Sequence, residues 1–406
     1  MIPRIASRRA LITGIGTVNA IACSQSEFID ALRKRSSGLR PIASFDARGM
    51  RCSNACEAVA FDADAVAARR GGKRMERSSA LVLSAFDEAL KMSGLDPAIV
   101  TPQRGAVAFG TTLGGSRVVF DFYRSATRHQ RRRPSLLRDY SLHAPGYRIC
   151  IETGFMGANL VYSTACTSSN LAVAMALELI LSNQADVVVA GGFDTMSQVT
   201  CAGFGVMRNV SPDLCRPFDR NRQGLVLGEG AAVMVIEAED FAARRGAQAL
   251  AVVMGYGITS DAHHMTAPDV TAASPAACMN KALHMGRVAP AEVDLIFAHG
   301  TGTQHNDAIE AKALHIVLGE AAKSIPCVSI KSAVGHTLGA AGTMNIAAAL
   351  AARAGQYIPA TLNFQEPDEA YALNCSAEVR SAKPSVVLSN ALGFGGANCS
   401  LLLGLK

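Results

Sequence analysis

Short apolar stretches rich in β-branched residues recur along the chain, separated by longer alanine-rich stretches with helical spacing. The pattern predicts strands at residues 10–13, 106–110, 159–164, 185–190, 232–237, 252–257, 295–298, 328–330 and 386–390. Several are unbroken apolar runs, as expected of strands covered on both faces. Their alternation with helical stretches predicts an α/β architecture in which sheets lie between helical layers.

The 406 residues, 49% of them hydrophobic, with a mean hydropathy of +0.20, can bury a large core, and the length predicts two fused lobes. The longest apolar run, residues 171–181, is too short for a membrane span and carries Glu178. The N-terminus lacks the apolar core and cleavage site of a signal peptide, which places the chain in the cytoplasm. Eleven cysteines without regular pairing predict reduced thiols, not a disulfide framework. Cys52 and Cys56 have no partners at zinc spacing.

The formal charge of +6 is unevenly spread: residues 1–160 hold 24 Lys and Arg against 13 Asp and Glu, and the remainder 15 against 20. The basic half includes Lys73, Arg74, Arg77 and the run Arg131, Arg132, Arg133, which suits an acidic partner. No aromatic-interleaved basic face or nucleic-acid motif accompanies it.

Glycine-rich or polar turns follow the predicted strands at residues 163–169 (STACTSS), 299–303 (HGTGT), 331–336 (KSAVGH) and 393–396 (GFGG), and four such loops can converge on one cavity. Gly14 and Gly16 after the first strand suggest a dinucleotide turn, but the third glycine is missing.

Cys166 sits where an apolar strand meets a helix beginning near Thr167. A helix N-terminus favours thiolate, so this cysteine is placed to be a nucleophile, whereas a cysteine between Ala165 and Thr167 taken alone is more often a small buried side chain. His299 ends one strand and His336 follows Lys331 in a second glycine-rich loop; neutral imidazoles donating from Nε2 suit a developing oxyanion. A metal reading would recruit Asp307 or Glu310 as a third ligand, but no tight histidine cluster supports it.

Together with RPFDRNRQGLVLGEGAAVMVIE (216–237), DAHHMTAP (261–268), AHGTGTQHNDAIE (298–310), KSAVGHTLGAAG (331–342) and NALGFGGANCS (390–400), the STACTSS segment resembles the elongating beta-ketoacyl-(acyl-carrier-protein) synthases over nearly the whole chain. The resemblance implies a thiolase-like fold of two similar βαβαβ halves, 1–250 with the nucleophilic cysteine and 251–406 with the two histidines, in an α-β-α-β-α core. It implies a ketosynthase that condenses a Cys166-bound acyl chain with malonyl-carrier protein by decarboxylation, without metal or diffusible cofactor. The triad it implies is Cys166, His299 and His336, with Lys331, Asp307 and Glu310 as a supporting charged network and the backbone N–H groups of Cys166 and Phe394 as an oxyanion hole.

Carried over in the same way, Thr301 and Thr303 hold a phosphopantetheine arm and Leu113 limits the depth of an acyl pocket. Lys73, Arg74, Arg77 and Arg208 dock an acyl carrier protein. The resemblance also implies a homodimer, with a heterodimer as the alternative assembly, and leaves unchanged the expectation of no nucleic acid and no membrane span. A non-elongating acyltransferase, or a carrier-binding partner subunit of a polyketide-type synthase, is the rival reading. Asn345 stands where fatty-acid enzymes of the family usually carry glutamate, HGTGTQHND resembles polyketide enzymes more closely, and Leu392 stands where a Phe is common before GFGG, which together imply a specialised pathway. Segment 127–149 matches neither pattern.

Overall fold

Ten strands form the hydrogen-bonded centre of the protein, seen in a computed structural model that describes residues 8–72, 75–128 and 134–406. They are β1 (Ala10–Asn19), β2 (Gly105–Gly110), β3 (Asn159–Tyr162), β4 (Val187–Asp194), β5 (Gly230–Ala238), β6 (Ala251–Ser260), β7 (Leu295–Phe297), β8 (Cys327–Val328), β9 (Val386–Leu392) and β10 (Ala397–Leu405). Their spatial order is β8-β7-β9-β10-β6-β1-β5-β4-β2-β3.

That order is one five-strand pattern used twice. From β1 outward the strands run β1-β5-β4-β2-β3, and from β6 outward they run β6-β10-β9-β7-β8, the same sequence displaced by five. Pair types repeat too: β1–β5 and β6–β10 are antiparallel, as are β5–β4 and β10–β9, while β4–β2–β3 and β9–β7–β8 are parallel. The halves join where Ala10, Leu11 and Ile12 of β1 pair with Val253, Val252 and Ala251 of β6.

Helices complete five layers. The Arg77–Ser93 helix covers β1 and β5 on one outside, and the Ala273–Gly286 helix covers β6 and β10 on the other. Between the halves lie the Ser168–Leu181 and Ala341–Gly355 helices, each touching strands of both. The second is buried on every side from Ala341 to Ala352, which its run of small and apolar residues permits, since a helix apolar all round must be enclosed. Gly14 and Gly16 serve packing: a Cβ at either would lie 2.0 Å from the carbonyl oxygen of Ala89 or Ala85 in the covering helix. They sit inside β1 and form no phosphate turn.

Three expectations need correction. The sequence pattern missed β10, because its apolar run lies behind the glycine-rich segment that drew attention to residues 393–396. The predicted strand at 10–13 is only the start of a ten-residue strand that lies buried throughout. Cys52 and Cys201 are joined as a disulfide in a buried cluster, so not all eleven cysteines are reduced; the other nine are free. Among the described residues, no helix is long and apolar enough to cross a membrane.

Candidate active site

The parallel strands of both halves deliver their following loops to one cavity of about 250 Å³, lined by Cys166, His299, His336, Thr301, Thr303 and Phe394 among others. Cys166 occupies the turn between β3 and the Ser168–Leu181 helix. Ala165 before it has φ +52°, an unfavourable left-handed conformation for a residue with a Cβ. The hydroxyls of the STACTSS segment hold this turn: Thr167 Oγ1 donates to the Thr164 carbonyl (2.7 Å), Ser168 Oγ donates to the Ala165 carbonyl (2.6 Å), and Thr164 N donates to Ser168 Oγ (2.9 Å). Strain retained in a turn pinned from several sides is typical of functional sites.

Cys166 Sγ lies 3.0 Å from His336 Nε2, and the His299 and His336 rings stand edge to face with centroids 5.4 Å apart. Cys166, His299 and His336 are all buried. The tautomer of His336 follows from its other nitrogen. Leu338 N donates to His336 Nδ1 (3.2 Å), so Nδ1 carries no proton and a neutral ring holds its proton on Nε2, aimed at the sulfur. The potential ligand atoms of Cys166, His299 and His336 lie within 4.8 Å of one another. A protonated Nε2 has no lone pair for an ion, so this donor set does not fit a metal.

Burial pushes the Cys166 thiol up to about 12; the Lys331 charge and the backbone N–H groups of Cys166 and Phe394 act in the opposite direction, and Asp194 adds to the rise. The backbone N–H groups at the helix N-terminus thus favour the thiolate, as the sequence implies, while desolvation opposes them more strongly. Both imidazoles are held well below their ordinary range, first by burial and then by Lys331, so both are neutral at pH 7. Lys331 is itself buried, which lowers its pKa, while Glu310 and Cys166 oppose the fall.

Asp307 and Glu310, one helical turn apart on the Gln304–Leu318 helix, collar the HGTGT loop through its backbone. Glu310 accepts from His299 N (2.7 Å) and Gly300 N (2.8 Å), and Asp307 accepts from Thr301 N (3.0 Å), Gly302 N (3.1 Å) and Phe218 N (2.8 Å). Burial raises the pKa of both, that of Glu310 to about 7. Thr301 Oγ1 and Thr303 Oγ1 are 2.9 Å apart on the cavity wall. Asn345 is buried and donates to the Ala298 carbonyl at 3.4 Å.

Other expected residues fall elsewhere. Leu113 does not line this cavity; it packs on an apolar cluster with Met196, Leu338 and Phe204. Phe204 does line it, with its ring 6.0 Å from that of Phe394. Arg208 stands at the cavity, but Arg77 is committed to buried Glu229 (2.7 Å) and the Ala58 carbonyl (2.7 Å), a fold-holding role that leaves little for docking. Lys73, Arg74, Arg131, Arg132 and Arg133 lie outside the described residues. Sequence reasoning missed Asp194, a buried carboxylate at the C-terminal end of β4; a charged residue closing an apolar strand in AGGFDTM was the available signal.

Residues 7–242 match the N-terminal domain of beta-ketoacyl synthase, and residues 250–365 match its C-terminal domain. The chain belongs to the beta-ketoacyl synthase family. It is 33% identical to the 3-oxoacyl-[acyl-carrier-protein] synthase 2 of Coxiella burnetii and 36% identical to the tetracenomycin polyketide synthase ketoacyl synthase alpha subunit of Streptomyces glaucescens, each match covering 98% of both chains. Among solved structures, the ishigamide ketosynthase/chain length factor superposes with a TM-score of 0.91 at 31% identity, covering 99% of this chain and 100% of that one. As a beta-ketoacyl synthase with a thiolase-like fold, the chain is an acyltransferase-type enzyme.

Proposed function

We propose that Cys166 carries the acyl chain and that His336 and His299 stabilise the enolate of the extender in a decarboxylative Claisen condensation. The observation that carries this reading is the His336 tautomer, whose Nε2–H faces Sγ at 3.0 Å. In the first half-reaction the Cys166 thiol attacks an acyl thioester; a new C–S bond forms, the old one breaks, and the thiol proton ends on the departing pantetheine sulfur. The N–H groups of Cys166 and Phe394 are the donors for the tetrahedral oxyanion.

In the second half-reaction the malonyl carboxylate leaves as carbon dioxide and its electron pair becomes an enolate. The enolate oxygen takes hydrogen bonds from the imidazole Nε2–H groups while its carbon attacks the Cys166 thioester. The C–S bond breaks, Cys166 leaves as a thiolate stabilised by Lys331 and His336, and one proton from solvent restores the thiol. The product is a 3-ketoacyl thioester two carbons longer. Neutral histidines suit this step, because an imidazolium would give its proton to the enolate and quench the nucleophile instead of only holding its oxygen.

Thr301 and Thr303 are the positions we assign to the pantetheine amides, and Arg208 at the cavity to the carrier protein. The relatives' names support acyl carrier protein as the thioester donor, and a neighbouring structure titled as a type II acyl-carrier protein in complex with its ketosynthase supports the same partner at 25% identity. A second copy of the chain is the assigned assembly partner, with a chain-length-factor subunit as its alternative, the pairing named for a ketosynthase of Xenorhabdus doucetiae at 27% identity. A formed cysteine site argues against the silent partner role. The two repeats, 1–250 and 251–406, are the proposed domains, and the cytoplasm the proposed location. Decarboxylation of malonyl-carrier protein by the purified chain, abolished in His336→Ala, tests the assignment.

A further inference from the structure

Asp194 is fully buried, and its two carboxylate oxygens meet four donors. Thr111 Oγ1 (2.8 Å) and Leu113 N (3.0 Å) reach Oδ1, and Thr112 N (2.8 Å) and Gly339 N (2.7 Å) reach Oδ2. Thr111 Oγ1 accepts from Gly114 N (2.9 Å), so its own proton points to the carboxylate. Four hydrogens on two oxygens use every acceptor position of an ionised carboxylate and leave none for a proton of its own. A buried carboxylate costs stability unless such partners compensate it, and here they join three loops.

One of those donors is adjacent to the residue that sets the His336 tautomer. Leu338, whose N–H meets His336 Nδ1, has φ +51°, an uncommon conformation for a bulky side chain. The next residue is held on both sides. Gly339 N is tied to Asp194, and its Cα lies so close to the GTTLGG loop that a Cβ there would sit 2.5 Å from Thr111 Cα. Thr112, whose N–H donates to the same carboxylate, accepts at its carbonyl from Ser163 Oγ (3.3 Å) in the loop that carries Cys166.

We propose that Asp194 is a positioning residue for the condensation: by anchoring Gly339 it holds the strained Leu338 peptide where its N–H keeps His336 in the Nε2–H tautomer. It touches neither substrate nor the reacting atoms, and its reaction role rests on the enolate-stabilising role assigned above to His336. Without the anchor, Leu338 can relax from its left-handed conformation, Nδ1 loses its donor, and the ring is free to carry its proton on the wrong nitrogen. The thiol has a second connection to Asp194, whose negative charge disfavours the Cys166 thiolate.

The test uses the full chain labelled with 15N-histidine, in wild type, Asp194→Asn, Asp194→Ser and Thr111→Val, with His336→Gln to assign the signal. In wild type at pH 7.5, Nδ1 of His336 should resonate as an unprotonated nitrogen and Nε2 as a protonated one. In the two Asp194 variants the pattern should become mixed or reversed. The malonyl decarboxylation kcat should fall on the order of 100-fold, as for loss of a transition-state donor, with KM changed less than threefold. Thr111→Val removes a donor to the same carboxylate but leaves Gly339 tied, and should keep the wild-type nitrogen pattern. An unchanged His336 pattern in a folded Asp194 variant overturns the proposal, as does an equal change in Thr111→Val. If neither Asp194 variant folds, wild-type protein labelled with 13C-aspartate decides: the Asp194 carboxyl signal must be that of an ionised group from pH 5 to 9, and a protonated carboxyl there overturns it. The nitrogen pattern is read without turnover, so a wild type that fails to decarboxylate malonyl-carrier protein refutes the ketosynthase reading separately.

Discussion

Replacing Glu310 with glutamine keeps the shape of a buried side chain and removes its ionisation. In the wild type, burial raises the carboxyl pKa from 4.5 to about 7, against the opposing pull of the His299 and Gly300 N–H donors. The folded protein therefore binds a proton more readily than the unfolded chain between those two pH values. The stabilising contribution is full below pH 4.5 and is lost as pH rises through about 7. A shift of this size corresponds to about 3 kcal/mol at 1.36 kcal/mol per pH unit. Glu310→Gln carries a pH-independent cost instead, because its amide nitrogen must face a backbone N–H. Urea unfolding of both proteins from pH 4.5 to 8, with each midpoint converted through its own slope, should show the stability difference changing by about 3 kcal/mol, wild type gaining relative to the variant at acid pH. Parallel curves would refute the reasoning and would mean that Glu310 has an ordinary carboxylate pKa in the fold.

Cys166→Ala should show no acyl adduct by intact mass after incubation with acyl-carrier protein, while wild type gains one acyl group. His336→Ala should still load acyl chains but lose malonyl decarboxylation by about 100- to 1000-fold, as expected for removal of an oxyanion donor; equal loss of both steps would contradict its role. Arg222 is a buried cation bonded to Asp368 (2.9 Å) and to the Asp219 and Gln304 carbonyls, so Arg222→Ala should cost about 3 kcal/mol in unfolding experiments, as for a broken buried pair. Arg208→Glu should raise KM for acyl-carrier protein severalfold and leave reaction with a small pantetheine thioester nearly unchanged, with salt acting in the same direction on the carrier reaction alone.

The site was legible where chemistry is written in contiguous residues. Cys166 with its hydroxyl neighbours, HGTGT and KSAVGH are local segments, and the fold brings the reactive atoms of Cys166, His299 and His336 within 4.8 Å of one another because each segment follows a parallel strand of the repeated half. What sequence alone could not supply is pairing at long range. Asp194 acts on Gly339, 145 residues away, and Cys52 bonds Cys201 across 149 residues. Arg77 looked like a surface cation until the fold placed Glu229 beside it, and only the fold shows that Leu113 packs on the apolar cluster that contains Met196 and Leu338. For Cys166 the sequence shows only one of two opposing effects: the helix N-terminus is visible in it, but the desolvation that acts against the thiolate is a property of the assembled layers.

The central claim is that one cysteine carries the chain that is extended. Wild type and Cys166→Ala should be incubated with one acyl-carrier protein and 13C-labelled malonyl-carrier protein, and carrier-bound products resolved by mass. The account predicts a 3-ketoacyl carrier protein two carbons longer, one carbon dioxide released per product, an acyl-Cys166 intermediate in wild type, and no ketoacyl product from the variant. Ketoacyl product formed at the wild-type rate by Cys166→Ala, or a wild type that never acquires an acyl group on Cys166, would contradict it.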